Sequence, residues 1–471
     1  MKSHKHPNLP LIIFFIPLLI IILAISFGCQ RKKEESSRKT EKTETKEKEI
    51  KWVSPATCGT CHSINYQDWN GTMHNEAFND PLYLASLTVT QKDAATIGKE
   101  EEVMKFCVKC HAPLASFTNH LLPFDGSKMT PVEREGIQCD FCHRVTKVLG
   151  DNTRVKLDLY SNIKRGPYKD SYSNFHRTAY SKLHTTSEFC SDCHNVTNPI
   201  NGLAVERTYD EWQNSVYSGK EGHKVIHCQD CHMKPEHGYP ADIPVFGVER
   251  KNFYRHDFAG GNTWITGVLG ATDQQQKAIK MLQSAAKLSV GAHKEESQLN
   301  LKVTVFNEGA GHKLPTGFPE GRLMWLHVIA RDAQGIIIFE SGAMDASGKL
   351  SRTATDGGPV KVYEIVPGIK QPDGTVKKSF HLALNDSIVS DNRIPPQKKD
   401  ETSYNFSIPA GIGLVNLEVS LKYQSASKEF VDFLTENVSP GELGSNLKEI
   451  WQSYPPPVVE MEKVTKKIPS S

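Results

Sequence analysis

The chain has 471 residues, of which 38% are hydrophobic and 23% charged, and its formal net charge is +2. This composition is typical of a soluble globular protein of two or three domains, and the near-neutral charge gives no reason to expect nucleic acid as a partner. Nineteen histidines and eleven cysteines are present, so metal or haem chemistry is the first possibility to consider.

Residues 1–29 predict a targeting segment. Lys2 and Lys5 precede an apolar run from Leu9 to Phe27, which is typical of a secretory signal. The run ends in Ser-Phe-Gly-Cys29, which resembles a bacterial lipoprotein cleavage site and predicts lipidation of Cys29. An uncleaved anchoring helix is the alternative. In both cases the chain is attached to a membrane, either by a lipid or by a helix. The rest of the chain is then expected in the periplasm or at the cell surface. The lipoprotein form favours the outer membrane.

The composition divides the rest of the chain into a charged tether, a region that holds the motifs described next, a linking helix, a strand-rich domain and a C-terminal tail. We place these at residues 30–51, 52–270, 271–290, 291–427 and 428–471. The tether has too few apolar residues to bury a core. Gln274 to Leu288 predicts an amphipathic helix, because its apolar residues recur on one helical face.

Cys-x-x-Cys-His occurs five times and uses ten of the eleven cysteines. The motifs are Cys58-Gly-Thr-Cys61-His62, Cys107-Val-Lys-Cys110-His111, Cys139-Asp-Phe-Cys142-His143, Cys190-Ser-Asp-Cys193-His194 and Cys228-Gln-Asp-Cys231-His232. This spacing lets two sulfurs bond the two vinyl groups of one haem while the adjacent histidine becomes the proximal iron ligand. Zinc sites and disulfides give no reason for a histidine after every pair. The sequence therefore predicts five covalently bound haem c groups.

Each iron then needs a sixth ligand or has an open face. The predicted additional ligands are His74, His184, His256, His120 and His176. His74 follows His62 by twelve residues, which is roughly 18 Å along a helix, so it cannot reach the iron that His62 holds. We expect His74 to ligate a different haem. The same reasoning applies to His184, which precedes His194 by ten residues.

After residue 290, apolar and polar residues alternate, which predicts β-strands. Leu299 to Val305, Tyr404 to Ile408 and Val415 to Leu421 follow this pattern. Trp325 to Ala330 and Ile336 to Phe339 flank a short turn, which predicts a hairpin. The predicted fold is a mainly α or irregular multihaem domain followed by an all-β, immunoglobulin-like sandwich.

A loop rich in glycine and proline, residues 311–322, lies between two of the predicted strands. It contains His312. One interpretation is that the loop reaches the haem region, where His312 is an axial ligand or a partner of a haem propionate. The other is that the loop is a structural corner of the sandwich.

The first motif, together with Tyr66, Trp69 and His74, resembles the opening of the cytochrome c-554 family of multihaem cytochromes. Further similarity over roughly residues 52–262 is carried by the stretches 184–194, 228–233 and 256–262. The loop at His312 resembles one in bacterial multihaem cytochromes that have a C-terminal β-domain. The resemblance implies closely stacked haems that pass electrons, most of them with two histidine ligands.

The predicted function is electron relay at the bacterial cell envelope between a redox protein donor and a redox protein acceptor, with no catalytic residue. Two histidines on an iron leave no position for a substrate. The first alternative is an oxidoreductase of nitrogen or sulfur compounds with one open haem. The second is a docking subunit of an electron-transfer complex, in which the β-domain binds the partner.

Overall fold

The computed structural model describes residues 49–150, 155–242 and 247–469. The predicted targeting segment with Cys29, and nearly all of the tether, lie outside the described residues. Within the described ranges, no helix is long and apolar enough to cross a membrane.

Short helices dominate the part of the chain that holds the Cys-x-x-Cys-His motifs. The α-helices are α1 Pro55–Gly59, α2 Ser63–Trp69, α3 Pro81–Thr96, α4 Glu100–His111, α5 Pro113–Thr118, α6 Cys139–Cys142, α7 Thr208–Gln213, α8 Cys228–His232, α9 Ile265–Val268, α10 Thr272–Gln283, α11 Lys428–Asn437 and α12 Leu447–Ser453. Single 3-10 turns lie at Lys182–Thr185, Ser187–Cys190, Val216–Ser218 and Lys220–Gly222. Helix α3 begins where the Asp80 carboxylate accepts the N–H of Leu82 at 2.8 Å.

The strands are short before residue 287 and longer after it. They are β1 Val145–Val148, β2 Val155–Leu157, β3 Ile163–Gly166, β4 Arg177–Tyr180, β5 Val196–Thr197, β6 Ala204–Glu206, β7 Pro235–Gly238, β8 Arg250–Tyr254, β9 Lys287–Glu295, β10 Gln298–Phe306, β11 Leu323–Arg331, β12 Ile337–Ser341, β13 Val362–Tyr363, β14 Ile365–Lys370, β15 Val376–Lys378, β16 Ser387–Asp391, β17 Lys399–Ser407, β18 Leu414–Gln424 and β19 Val459–Pro469. Strands β1 to β8 form two-stranded pairs only.

Two antiparallel sheets enclose the core of the C-terminal part. One has the order β17-β10-β9, and the other has the order β12-β11-β18-β19 with β13 also paired to β11. Val303 of β10 and Leu326 of β11 belong to one buried cluster, because alternate side chains of each strand point into the space between the sheets. The predicted change from helices to β-sheets and the hairpin of β11 and β12 are confirmed. An immunoglobulin-like build stays a prediction.

The linking helix is shorter than predicted. Helix α10 ends at Gln283, and Leu288 belongs to β9, where it pairs with Val305. The apolar face of α10 fits a helix up to Leu282, whereas Leu288 and Val290 already follow the alternation of a strand. By their contacts, the residues from Glu49 onward group as one unit, and the predicted domain boundaries within it stay predictions.

The C-terminal tail connects the two parts. Phe430 and Leu434 of α11 and Trp451 of α12 pack into one buried cluster with Leu82 of α3 and Trp264, the residue before α9. The last strand, β19, then pairs with β18. The tail therefore contributes both to the sheet and to the packing of the helical part.

Candidate haem-binding site

All five Cys-x-x-Cys-His motifs line one cavity of about 1560 Å³. Each of the ten cysteines and five histidines contributes to its wall. His74, His176, His184, His256 and His312 line it as well. The folded chain thus gathers the motifs, which are spread over more than a third of the sequence, around a common space.

A helical turn presents each motif to the cavity. The motif of Cys107 forms the last turn of α4, Cys139 begins α6, and Cys228 begins α8. Residues three and four positions apart lie on the same face of a helix. The second cysteine and the histidine therefore point to the same side as the first cysteine, as attachment to one ligand requires.

Hydrogen bonds fix the ring orientation of four motif histidines. Each donates its Nδ1–H to a backbone carbonyl: His62 to Pro240 (2.5 Å), His111 to Ala77 (2.6 Å), His143 to Arg165 (2.5 Å) and His232 to Ala259 (2.6 Å). Donation from Nδ1 leaves Nε2 without a proton. An Nε2 lone pair held in this way is the usual arrangement of a metal-ligating histidine.

Four motif histidines also have a second histidine ring at a nearly constant distance. The ring centroids are 6.4 Å apart for His62 and His176, 6.2 Å for His74 and His194, 6.3 Å for His143 and His256, and 6.3 Å for His232 and His312. A metal–imidazole bond is about 2 Å, so two imidazoles on opposite faces of one iron have centroids roughly 6 Å apart. The pairs therefore fit one iron each.

Burial keeps these histidines neutral. It lowers the pKa of His74 to about 3 and the pKa of His256 to about 4, and it also lowers the pKa values of His194 and His312. Neutral imidazole is the form that binds a metal. Burial therefore favours the ligand form of these four histidines.

His111 is surrounded differently. The ring of Tyr83 stacks on it, with 3.6 Å between centroids and 6° between the ring planes. The hydroxyl of Tyr83 is buried and has no hydrogen-bond partner within the described residues. None of the histidine ring pairs found among the described residues includes His111.

Two of the predicted ligands have other partners. His120 forms an ion pair with the buried Glu133 at 2.9 Å. His184 stacks on His143 at 5.7 Å, but its Nε2–H donates to the carbonyl of Cys142 at 3.0 Å. The recorded hydrogen-bond contacts of the His256 ring, with the Tyr254 carbonyl and the Asn65 amide, are both at Nδ1, so His256 is the better-placed partner of His143. Iron ligation by His120 and His184 stays a prediction.

The loop of His312 reaches the cavity, as one of the two interpretations of residues 311–322 expected. The antiparallel backbone pairing of Leu314 with Ile394 holds the loop in place. The sequence did not assign His312 to a particular motif, because the nearest motif in the fold, that of His232, lies 80 residues earlier in the chain.

An ion pair fixes the segment that carries His256. The carboxylate of Asp68 in α2 is buried, and it accepts hydrogen bonds from the Arg255 guanidinium and, at 3.1 Å, from the backbone N–H of His256. Lys277 of α10 adds a second positive charge. Burial alone would raise the pKa of Asp68, but these partners outweigh it, so the pKa of the carboxyl group is lowered.

Residues 57–144 match the family model described as cytochrome c554 and c-prime. The penta-heme cytochrome c552 from Thermochromatium tepidum is similar in structure, with 20% sequence identity, a TM-score of 0.57, and coverage of 88% of this chain and 99% of that chain. Another solved structure, the structural genomics target SoR45, is 8% identical, covers 38% of this chain and 82% of that one, and has a TM-score of only 0.15, which carries no argument. No curated protein matches the chain.

The chain therefore resembles the multihaem c-type cytochromes of the cytochrome c-554 family, as the sequence predicted, and it has the fold of a penta-heme cytochrome. Proteins of this class carry covalently bound haem c and take part in electron transfer. The β-rich C-terminal part fits the same structural match.

Proposed function

We propose that this protein is a five-haem electron relay of the bacterial cell envelope. Each Cys-x-x-Cys-His motif binds one haem c through its two cysteines, and the motif histidine is the proximal ligand. The penta-heme cytochrome with the same fold supports the count of five. When bound, haem supplies an iron that gains and loses one electron.

The four histidine pairs are the observation that carries this proposal. They support His176 as the distal ligand opposite His62, His74 opposite His194, His256 opposite His143, and His312 opposite His232. With both axial positions held by histidine, these sites exchange electrons and have no position for a substrate. The role of the chain is to bury the groups, fix the imidazole rings and exclude water.

Contacts between motifs support close packing of the haems. The thiol of Cys58 interacts with that of Cys139, Cys110 with Cys193, and Cys190 with Cys228. Cys142 lies close enough to Cys193 for an electrostatic interaction. These neighbours connect the motifs of His62, His143, His194 and His232 in a row, with the motif of His111 beside that of His194. A redox protein donor and acceptor dock at the two ends of this row.

The location follows from the class and from the first residues of the chain. Cytochromes of the c type act outside the cytoplasm. The signal-like residues 1–29 support export. Lipid on Cys29 then anchors the protein to a membrane, and the rest of the chain lies in the periplasm or at the cell surface.

A second candidate function is an oxidoreductase that uses the haem of His111. Tyr83, and not a histidine, lies against the ring of His111, and the cavity wall at this motif includes Leu87, Thr90 and Ala383. An iron with one open face there can bind a small nitrogen or sulfur compound. The other four haems then deliver or remove the electrons.

Mass spectrometry and electron paramagnetic resonance test both functions. If the protein is a relay, mass spectrometry should give a mature mass that includes five haems. The electron paramagnetic resonance spectrum should then show low-spin signals from the four histidine-paired irons. A high-spin signal that disappears on adding nitric oxide or cyanide assigns the His111 haem to the oxidoreductase, and five low-spin signals exclude it. Three or fewer haems per chain, in cells that mature c-type cytochromes, contradict the relay.

A further inference from the structure

Two buried carboxyl groups line the haem cavity, and neither forms an ion pair with another of the described residues. Glu206 is the last residue of β6, and Glu320 lies in the loop of residues 311–322. Their exposed fractions are 9% and 7%. One carboxyl oxygen of Glu320, Oε2, is buried and has no hydrogen-bond partner within the described part of the chain. Glu206 lies close enough to Cys110 to affect it electrostatically.

Two hydroxyl groups connect Glu206 to a third carboxyl group. Glu206 accepts a hydrogen bond from the backbone N–H of Thr208 at 3.3 Å and another from its hydroxyl. The Thr208 and Thr316 hydroxyl oxygens are 2.7 Å apart, and the Thr316 hydroxyl is 2.8 Å from Oε2 of Glu211. A hydroxyl group can accept a proton from one neighbour while it passes its own to the next, so a proton that enters at Glu211 can move through Thr316 and Thr208 to Glu206.

The outer end of this row approaches the surface. Oε1 of Glu211 accepts a hydrogen bond from Arg393 at 3.0 Å, and Arg393 also binds Asp391. Lys313, whose side chain is 31% exposed, binds Asp391 at 2.7 Å. Arg393 keeps its proton, so it fixes the position of Glu211 and does not itself carry protons.

Burial, more than the charges that face them, leaves the two carboxyl groups easy to protonate. Glu206 faces Glu211 and Arg207, and Glu320 faces Glu206, Arg393 and Arg322. Burial is the largest cause, and it raises the pKa of Glu206 to about 7 and the pKa of Glu320 to about 7. Both groups therefore respond to a small change of charge near neutral pH.

We propose that Glu206 and Glu320 form a proton-binding site that takes up a proton when the neighbouring haem is reduced, so that the protein couples electron transfer to proton transfer. This inference rests on the proposed electron relay. A haem held beside the pair would take one electron from the redox protein donor and change from ferric to ferrous. One proton from water passes along Glu211, Thr316 and Thr208 and forms an O–H bond on a carboxylate oxygen, so the net charge of the site is unchanged.

The sign of the pH dependence follows from this exchange of charge. Reduction removes a positive charge near the pair, which raises the pKa of the carboxyl groups and favours protonation. At higher pH the ionised pair stabilises the ferric iron. The reduction potential therefore falls as pH rises through the region of the pKa, by at most about 59 mV per pH unit for one proton and one electron.

Redox titration between about pH 5 and pH 9 tests the site on the whole haem-loaded protein. We expect one haem transition to follow pH in the native protein, and Glu206→Gln together with Glu320→Gln to make it nearly independent of pH. An infrared band of a protonated carboxyl group should appear on reduction and be absent in the double variant. The exposed Glu436→Gln is the control and should leave both signals unchanged.

A slope that survives in the double variant overturns the proposal, because other groups, such as haem propionates, then bind the proton. Thr316→Val adds an independent measurement. This variant should slow proton uptake after rapid reduction but leave the pH dependence of the reduction potential unchanged. An unchanged rate of proton uptake contradicts proton transfer through Thr316. Haem content and the presence of haem redox transitions test the proposed electron relay. Failure of the electron relay is therefore distinguished from failure of the proton-binding site.

Discussion

The ring of His74 lies between two other rings in the haem cavity. Its centroid is 6.2 Å from that of His194 and 4.5 Å from that of Phe258. The side chain is buried, and burial together with the nearby histidines lowers its pKa to about 3. An imidazole that is neutral, enclosed by apolar groups and opposite a motif histidine costs stability unless a metal or another partner binds it.

His74→Ala should therefore remove a ligand from the haem of His194 and leave the haem of His62 unaffected. We expect one low-spin signal in the electron paramagnetic resonance spectrum to become high-spin, with the other signals unchanged. The exposed His223→Ala provides the matched control. A change at the His62 haem instead would contradict the assignment of His74 to the His194 motif.

Residue patterns identified the motif histidines but not all of their partners. The motifs are local in sequence, so spacing alone predicts the positions of their cysteines and histidines. The distal partners depend on the fold, since His312 and His232 meet only after the loop of residues 311–322 has packed against the cavity. The helix predicted through His74 ends at Trp69, where Gly71 adopts a positive φ of 78°.

The strands of the C-terminal part illustrate what alternation can predict. Leu299, Leu301, Val303 and Val305 alternate with polar residues, and all four are at most 2% exposed. The pairing of β11 with β18 was not predictable, because some 80 residues separate them and sequence pattern carries no information on which strands pair. Likewise, the sequence identified residues 428–471 only as a tail, whereas they fold into α11, α12 and β19.

Leu326 in the central strand β11 should matter far more for stability than an exposed apolar residue beside the same sheet. Leu326 is 0% exposed, whereas Ile336, in the turn before β12, is 63% exposed. Leu326→Ala should lower the free energy of unfolding by about 2 to 5 kcal/mol, because it leaves a cavity between the sheets. Ile336→Ala should change it by less than about 0.5 kcal/mol. Guanidinium unfolding followed by circular dichroism measures both, and equal effects would contradict the two-sheet core.

At the scale of the whole molecule, the helical part and the β-sheets share a core. Phe430 of α11 packs with Leu82 of α3 and Trp264, and it is 0% exposed. The cavity is likewise built from both parts, since Thr208 and Thr316 bond each other across it. Neither part encloses the haem groups alone.

The two parts should therefore unfold together. Haem absorbance and the circular dichroism of the sheets should give coincident transitions in denaturant. Phe430→Ala should lower the denaturant midpoints of both transitions by the same amount. The corresponding loss in the free energy of unfolding is about 3 to 5 kcal/mol. Val458→Ala, at a position that is 42% exposed, is the control. Two separated transitions would show that the helical part and the sheets are independently stable.

The carbonyl groups that accept the Nδ1–H bonds have a consequence for biogenesis. The partner of His62 is Pro240, which follows it in the chain by 178 residues. In the proposed export of the chain, the first motif crosses the membrane before most of the residues that will orient its histidine. Covalent attachment at that motif must then proceed on a flexible, largely unfolded segment, and the imidazole acquires its final orientation only when the later segments arrive. For the same reason, a peptide cut around a single motif can receive a haem but cannot reproduce the ligand geometry of the intact protein.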